Sequence, residues 1–137
     1  MPAAEAMEND VLTHQFRTGS WTKPTALWVA LLTATPADTG GMVEVSVAEY
    51  ARQQRDPGDA NWPQAADNSV YNADAISYAE PVTDWGNVIA VALFDAETGG
   101  NLRAYQLLDT PKNVTAGGAL LQFQPGALKW RMNDLTA

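Results

Sequence analysis

The sequence contains no cysteine, and its 137 residues include a single histidine, His14. Without cysteine the chain cannot form a disulfide, a thiolate nucleophile, a Cys-ligated zinc site or an iron–sulfur cluster. With one histidine it cannot assemble a Ser-His-Asp triad or a His-based metal cluster within one chain. The glycine motifs that bind nucleotides and the G-x-S-x-G nucleophile elbow are also absent. The sequence therefore predicts a protein that is not an enzyme, with no catalytic residue, no metal site and no cofactor.

Basic residues are scarce as well. Eight Lys and Arg stand against sixteen Asp and Glu, which gives a formal net charge of −8. A field of this sign repels phosphate backbones, and the few basic side chains are dispersed, so we expect no direct nucleic-acid partner. The longest apolar run, residues 26–32, is about a third of the roughly 20 residues that a membrane-spanning helix needs. The acidic N-terminus does not resemble a secretory signal, so we expect a protein made in the cytoplasm and not inserted in a membrane.

What the chain does contain suits a globular protein. Its hydrophobic fraction of 46% and charged fraction of 18% are typical of chains that fold around an apolar core. A chain of this length fits one domain, which we predict over residues 1–137. Within it we expect a helical N-terminal arm at residues 1–20 and a long polar loop at residues 55–69.

The helix prediction depends on Met7, Val11, Leu12 and Phe16, which recur about every four residues without a helix breaker between residues 5 and 16. The rest of the chain carries short runs of β-branched and aromatic residues separated by Gly, Pro, Asn and Asp. These runs predict strands at residues 26–33, 43–47, 70–71, 75–79, 87–95, 102–108, 119–124 and 128–132, with 50–54 as a further extended segment. The first of these strands has the continuous apolar pattern of a strand that is buried on both faces.

Turn signals between these runs recur closely enough to favour an all-β arrangement. We expect a hairpin at Gly99-Gly100 and a turn at Pro111-Lys112-Asn113. The fold class predicted is mainly β: a compact antiparallel β-sandwich or barrel-like domain with a short N-terminal helix.

Carboxylates are the one class of reactive side chain that the sequence supplies in number. Glycoside hydrolysis needs two carboxylates on either side of the bond that is cleaved. If strand ends converged, such a pair would come from four acids: Asp84, Asp95, Glu97 and Asp109. The segment 95–101 (DAETGGN) would hold calcium if its oxygens converged, although it lacks the final bidentate Glu of an EF-hand loop. The interpretation that we favour for both is simpler: these are solvated acids of turns, and residues 95–101 form a hairpin.

Five tryptophans are many for this length, and aromatic side chains at a surface anchor partners or stack on sugars. Trp62 lies in the polar loop beside a proline, and Trp21 follows a Gly-Ser break. We therefore predict Trp21 and Trp62 as partner anchors, together with Val11 and Phe16 from the N-terminal helix.

Taken in order, several segments resemble a family of small tailed-bacteriophage virion proteins. The similar segments are residues 10–17 (DVLTHQFR), 26–36 (ALWVALLTATP), 49–53 (EYARQ), 83–102 (from TDWGNV to ALFDAETGGNL) and 110–118 (TPKNVTAGG). Members of this family are labelled tail-fibre-like proteins, and in some phages they serve as capsid cement or decoration proteins.

The resemblance implies a structural protein of the virion without enzyme activity. The role we expect from it is that of a cement protein on the capsid surface, bound to the major capsid protein over capsomer junctions and to copies of itself as a homotrimer. The alternative is a tail-fibre or baseplate module that binds a receptor.

Overall fold

The structure is a computed structural model, and it describes residues 5–34 and 42–131. The described chain is mainly β, with antiparallel strand pairing and one short N-terminal helix, as predicted. The elements are α1 (Glu5–Phe16), β1 (Trp28–Ala34), β2 (Val43–Glu44), β3 (Gln53–Gln54), β4 (Val70–Tyr71), β5 (Ile76–Ser77), β6 (Gly86–Phe94), β7 (Leu102–Val114), β8 (Gln122–Phe123) and β9 (Lys129–Trp130). The described part contains no helix long and apolar enough to cross a membrane.

The main sheet is built around β6, which lies between β1 and β7. The short strands β2 and β3 pair with opposite ends of β1. Two further ribbons form from β4 with β9 and from β5 with β8. No closed barrel forms within residues 5–34 and 42–131. Of the two predicted arrangements, the barrel-like domain is therefore wrong, and the β-sandwich is the one that agrees with the structure.

The core lies between the main sheet and the two ribbons. Val29, Leu31 and Val91 on one sheet face pack against Ile76 and Phe123 of the β5–β8 ribbon, and all five side chains are buried. Each such burial stabilises the fold by roughly 1.5–3 kcal/mol. The opposite sheet face holds a second buried cluster: Ala30, Leu32, Ala90, Ala92 and Phe94. Strand β1 is thus buried on both faces, as its apolar run predicted.

Strand β7 departs from the prediction, because the turn expected at Pro111-Lys112-Asn113 is wrong. Those residues lie inside β7, where Lys112 pairs with Val88 after a bulge in which residues 108–111 stand opposite Ile89 alone. Proline has no backbone N–H and is tolerated in a strand at such a bulge. The residues that suggested a turn therefore kink a continuous strand.

Several predicted strands are shorter than the sequence pattern indicated. Where residues 43–47, 75–79 and 119–124 were predicted as strands, only Val43–Glu44, Ile76–Ser77 and Gln122–Phe123 pair. Their flanking residues still make single hydrogen bonds, such as Val45 N to Leu31 O at 3.1 Å and Tyr78 N to Leu121 O at 3.0 Å. The last prediction, residues 128–132, is represented by Lys129–Trp130, and its final residue lies outside the described residues.

The polar segment at residues 55–69 lies between β3 and β4, and it is held closely to the rest of the protein. The Trp62 indole nitrogen donates to Arg55 O at 3.1 Å, and Arg55 Nη2 donates to Ala75 O at 2.9 Å. Trp62 itself is half-buried and packs against the core. The loop therefore presents a fixed surface.

Candidate interaction site

Trp21 and Trp62, the two anchors predicted from the sequence, line the same groove. It has a volume of about 310 Å³. Met7 of α1 and Pro24 form one wall with Trp21, and the loop supplies Pro57 beside Trp62. Leu93 and Ala104 of the main sheet and Trp130 of β9 lie along the groove as well. The groove is therefore mostly apolar, and three of the five tryptophans border it.

Trp130 contributes an unusual group to this wall. Only 7% of the residue is exposed, and its indole Nε1 is buried without a hydrogen-bond partner among the described residues. An unpaired buried donor costs roughly 1–3 kcal/mol, so the packing of the indole ring must offset that loss.

A second, polar hollow of about 350 Å³ adjoins the groove. Trp21, Pro24 and Arg103 line both. The hollow adds the following polar side chains: Asp10, Thr22, Thr25, Asp95 and Asn101. The polar hollow is thus lined by an aromatic ring, a guanidinium, carboxylates, hydroxyls and an amide.

Arg103 of β7 lines this hollow. It is the extra residue of a bulge, between Leu102, which pairs with Phe94, and Ala104, which pairs with Leu93, and only 5% of it is exposed. Its Nη2 donates to Asp10 Oδ2 at 2.8 Å, which ties the N-terminal helix to β7. The guanidinium carbon lies 5.6 Å from the centre of the Trp21 ring. Among the described residues, Arg103 Nε and Nη1 have no hydrogen-bond acceptor.

Asp95 accepts hydrogen bonds from within its own hairpin, beside Arg103. One Asp95 carboxylate oxygen accepts from Asn101 N at 2.7 Å, and the other accepts from Asn101 Nδ2 at 3.1 Å. Residues 95–101 therefore form the predicted hairpin, closed by Gly99 and Gly100 at positive φ. Within the described ranges, no group of three His, Cys, Asp or Glu side chains is placed to hold a metal ion.

Two of the four acids considered for glycoside hydrolysis, Asp84 and Asp95, lie beyond opposite ends of β6. Asp84 precedes β6 and accepts from Ala116 N at 2.8 Å, whereas Asp95 follows β6. A nine-residue strand separates them by about 30 Å. Each carboxylate holds a turn, as the simpler interpretation proposed.

Two polar networks were not predicted from the sequence, and both come from residues 49–52. In the first, Glu49 Oε1 accepts four hydrogen bonds, from Val82 N, Thr83 N, Thr83 Oγ1 and Trp85 Nε1, at 2.7–3.0 Å. The Thr83 hydroxyl and then the Trp85 indole contribute most to lowering the pKa of Glu49, to about 2. Glu49 thereby fixes the loop that leads into β6.

In the second network, the buried Arg52 side chain binds Glu44 through two parallel hydrogen bonds of 2.8 Å. Its Nη1 donates to Ala96 O and Gly99 O, at 2.8 and 2.9 Å, and its guanidinium stacks over Phe94 at 3.8 Å. Tyr50 donates to the same Glu44 carboxylate at 2.7 Å, and burial raises the pKa of Tyr50 so that it stays a neutral donor. The signal that could have located both networks is the clustering of polar residues in the short segment EYAR.

The helix residues predicted as interface candidates lie elsewhere. Val11 is half-buried, and neither Val11 nor Phe16 lines the groove or the polar hollow. Phe16 is 77% exposed at the end of α1, and Leu12, one turn earlier, is 41% exposed. These two form an exposed apolar surface that is separate from the groove.

Comparison with known proteins gives one family. The family model described as podophage GP4 fiber I protein gp80 matches residues 2–131. No curated protein matches the chain.

Proposed function

Because the chain belongs to the family of the podophage GP4 fiber I protein gp80, we propose that it is a structural subunit of a phage fibre. The observation that carries the proposal is the match itself, which covers residues 2–131 of 137. The geometry supports a role without catalysis, because Glu49, Asp84 and Asp95 each hold a loop or turn by hydrogen bonds.

The position that we propose on the particle is the fibre. The family description names a fibre protein, which favours this position over the capsid-cement role expected from the sequence resemblance. Labelling of intact phage particles with an antibody against the chain, followed by electron microscopy, tests this. We expect few copies, all at the tail. Many copies spread over the head would overturn the proposal and support a cement protein bound to the major capsid protein.

We also propose that the chain assembles with copies of itself as a homotrimer. The support is the surface formed by Leu12 and Phe16, which lie four residues apart and so share one face of α1. Large exposed apolar side chains of this kind are common at interfaces between subunits.

Sedimentation velocity of the purified chain measures this assembly directly. We expect a trimer for the wild type and dissociation for Phe16→Ser. The matched control is Val82→Ser, because Val82 is 71% exposed and lies far from α1 in the chain. A monomeric wild type would contradict the trimer, and a trimeric Phe16→Ser variant would contradict the helix interface.

A further inference from the structure

We infer that the polar hollow beside Trp21 is a binding site for the neutral, hydroxyl-rich ring of an oligosaccharide. The inference adds a binding activity to the structural role and does not depend on where the chain sits in the particle. Three observations carry it: an aromatic ring at the wall, arginine donors that no described residue accepts from, and an excess of carboxylates that disfavours anionic ligands.

The aromatic ring is that of Trp21, which is half-buried and lines both the polar hollow and the apolar groove. The C–H face of a sugar ring is apolar, and an indole ring offers it a large and rigid contact area. The guanidinium of Arg103, 5.6 Å from the ring centre, restricts where that indole can move. The platform is thus formed before any ligand arrives.

The unpaired donors belong to Arg103, of which only 5% is exposed. A guanidinium carries five N–H groups on three nitrogens, and the described residues supply an acceptor, Asp10, to Nη2 alone. A hydrogen bond from a charged guanidinium is stronger than one between neutral groups, so a ligand oxygen that accepts from Nε or Nη1 would bind here with a gain. Hydroxyl oxygens accept hydrogen bonds from a guanidinium.

The charges select against anionic ligands. Two carboxylates, those of Asp10 and Asp95, line the hollow beside one guanidinium, that of Arg103, and the chain has a net charge of −8, so an anion is repelled. A hydroxyl both donates and accepts, so it pairs with a carboxylate on one side and with the guanidinium on the other. Thr22, Thr25 and Asn101 add further polar contacts along the rim.

The test uses the full-length chain and a panel of neutral oligosaccharides of glucose, galactose, mannose and N-acetylglucosamine. Binding is measured by saturation-transfer NMR and by tryptophan fluorescence, at sugar concentrations up to about 10 mM, where weak sites are occupied. We expect at least one member to bind. Trp21→Ala should weaken that binding by about fivefold or more, because the stacking surface is lost. Val82→Ala is the control, since it truncates a side chain that is 71% exposed, lies outside the hollow and is far from α1 in the chain, and it should leave the affinity unchanged.

A second variant, Arg103→Lys, keeps the positive charge beside Asp10 but presents fewer and differently directed donors, so it should also weaken binding. Circular dichroism and thermal unfolding establish that each variant is folded. If Trp21→Ala does not fold, Trp21→Phe replaces it and should show a smaller loss.

The inference is overturned if no neutral sugar binds the wild type, if folded Trp21 and Arg103 variants bind as the wild type does, or if only oligosaccharides with uronic acids bind. These results are independent of the fibre assignment. A chain found at the tail that binds no sugar would refute this inference alone, whereas a sugar-binding chain found over the head would refute the fibre position alone.

Discussion

At the scale of single residues, Glu49 shows how one carboxylate organises a loop. Four donors converge on its Oε1 from residues 33 to 36 positions later in the chain. Hydrogen bonds to the charged form of a carboxyl favour that form, which is why the Thr83 hydroxyl and the Trp85 indole hold the pKa of Glu49 near 2.

This lowered pKa makes a prediction about acid stability. The pKa of Glu49 falls from an ordinary 4.5 to about 2 on folding, so the stability that the carboxylate contributes is present above about pH 4.5 and is lost as the pH falls toward 2. Replacing the acid with an amide, Glu49→Gln, should therefore lower the melting temperature at pH 7 and flatten its fall between pH 4.5 and 2. Thermal unfolding followed by circular dichroism across this range measures both effects.

The control for this experiment is Glu97→Gln, because Glu97 is an exposed acid of the β6–β7 hairpin. Its pH profile should follow the wild type. A Glu49→Gln profile parallel to the wild type between pH 4.5 and 2 would show that the four hydrogen bonds do not stabilise the charged carboxylate.

The sequence predicts single side chains of the candidate site but not what surrounds them. Trp21 is predicted as a partner anchor because it follows a Gly-Ser break, and Trp62 because it lies in a polar loop beside a proline. The structure places both on one groove. The sequence around Arg103 does not predict its place in the site, because its contact with Asp10 spans 93 positions and depends on the register of a bulge. Contacts of that kind follow from the completed fold.

At the scale of elements, the β6–β7 hairpin joins the central strand to the edge of the sheet at the turn where Arg52 binds. Gly99 and Gly100 adopt φ of +62° and +74°, the left-handed region that side chains other than Gly rarely occupy. The two glycines differ in their surroundings. A Cβ on Gly100 would approach Asp95 Oδ1 to 2.6 Å and Ala96 Cβ to 2.7 Å, whereas a Cβ on Gly99 would meet nothing within 4 Å.

We therefore expect Gly100→Ala to be more destabilising than Gly99→Ala. Both variants carry the backbone strain, of about 1 kcal/mol, but only Gly100→Ala displaces the Asp95 carboxylate that closes the hairpin, at a further cost of about 1–2 kcal/mol. Urea unfolding of the two variants measures the difference, and Gly99→Ala is the internal control for strain. Equal losses in the two variants would contradict the close approach at Gly100.

Periodicity located the long elements of the sheet well. Strands β1 and β6 begin and end within two residues of their predicted bounds, because their β-branched, apolar runs are buried in the centre of the sheet. The strands of the two ribbons were predicted too long, because side-chain hydrogen bonds hold the chain where backbone pairing ends. Near β9, for example, buried Asn72 donates to Gln124 O and accepts from Leu128 N, each at 2.9 Å, which holds the turn between them without a longer strand.

At the scale of the whole molecule, one core joins the main sheet to both ribbons. Tyr78 packs edge-on against Phe123 with ring centres 6.3 Å apart, and its hydroxyl donates to Val29 O at 2.8 Å. Trp130 of the other ribbon belongs to the same buried cluster as Val29. Within the part of the chain that the structure describes, neither ribbon has a core of its own, so neither should remain folded without the sheet.

A cavity in one ribbon should accordingly destabilise the entire fold. Phe123→Ala removes a side chain that is 6% exposed, and we expect a loss of about 3–5 kcal/mol in the free energy of unfolding. Urea unfolding followed by tryptophan fluorescence and by far-ultraviolet circular dichroism should give one transition, with the same lowered midpoint by both probes. Val82→Ala, at a side chain that is 71% exposed and far from α1 in the chain, should change the stability by less than about 0.5 kcal/mol. If the fluorescence midpoint of Phe123→Ala fell while the circular dichroism midpoint did not, the ribbons would unfold separately from the sheet, and the shared core would not be what unites the molecule.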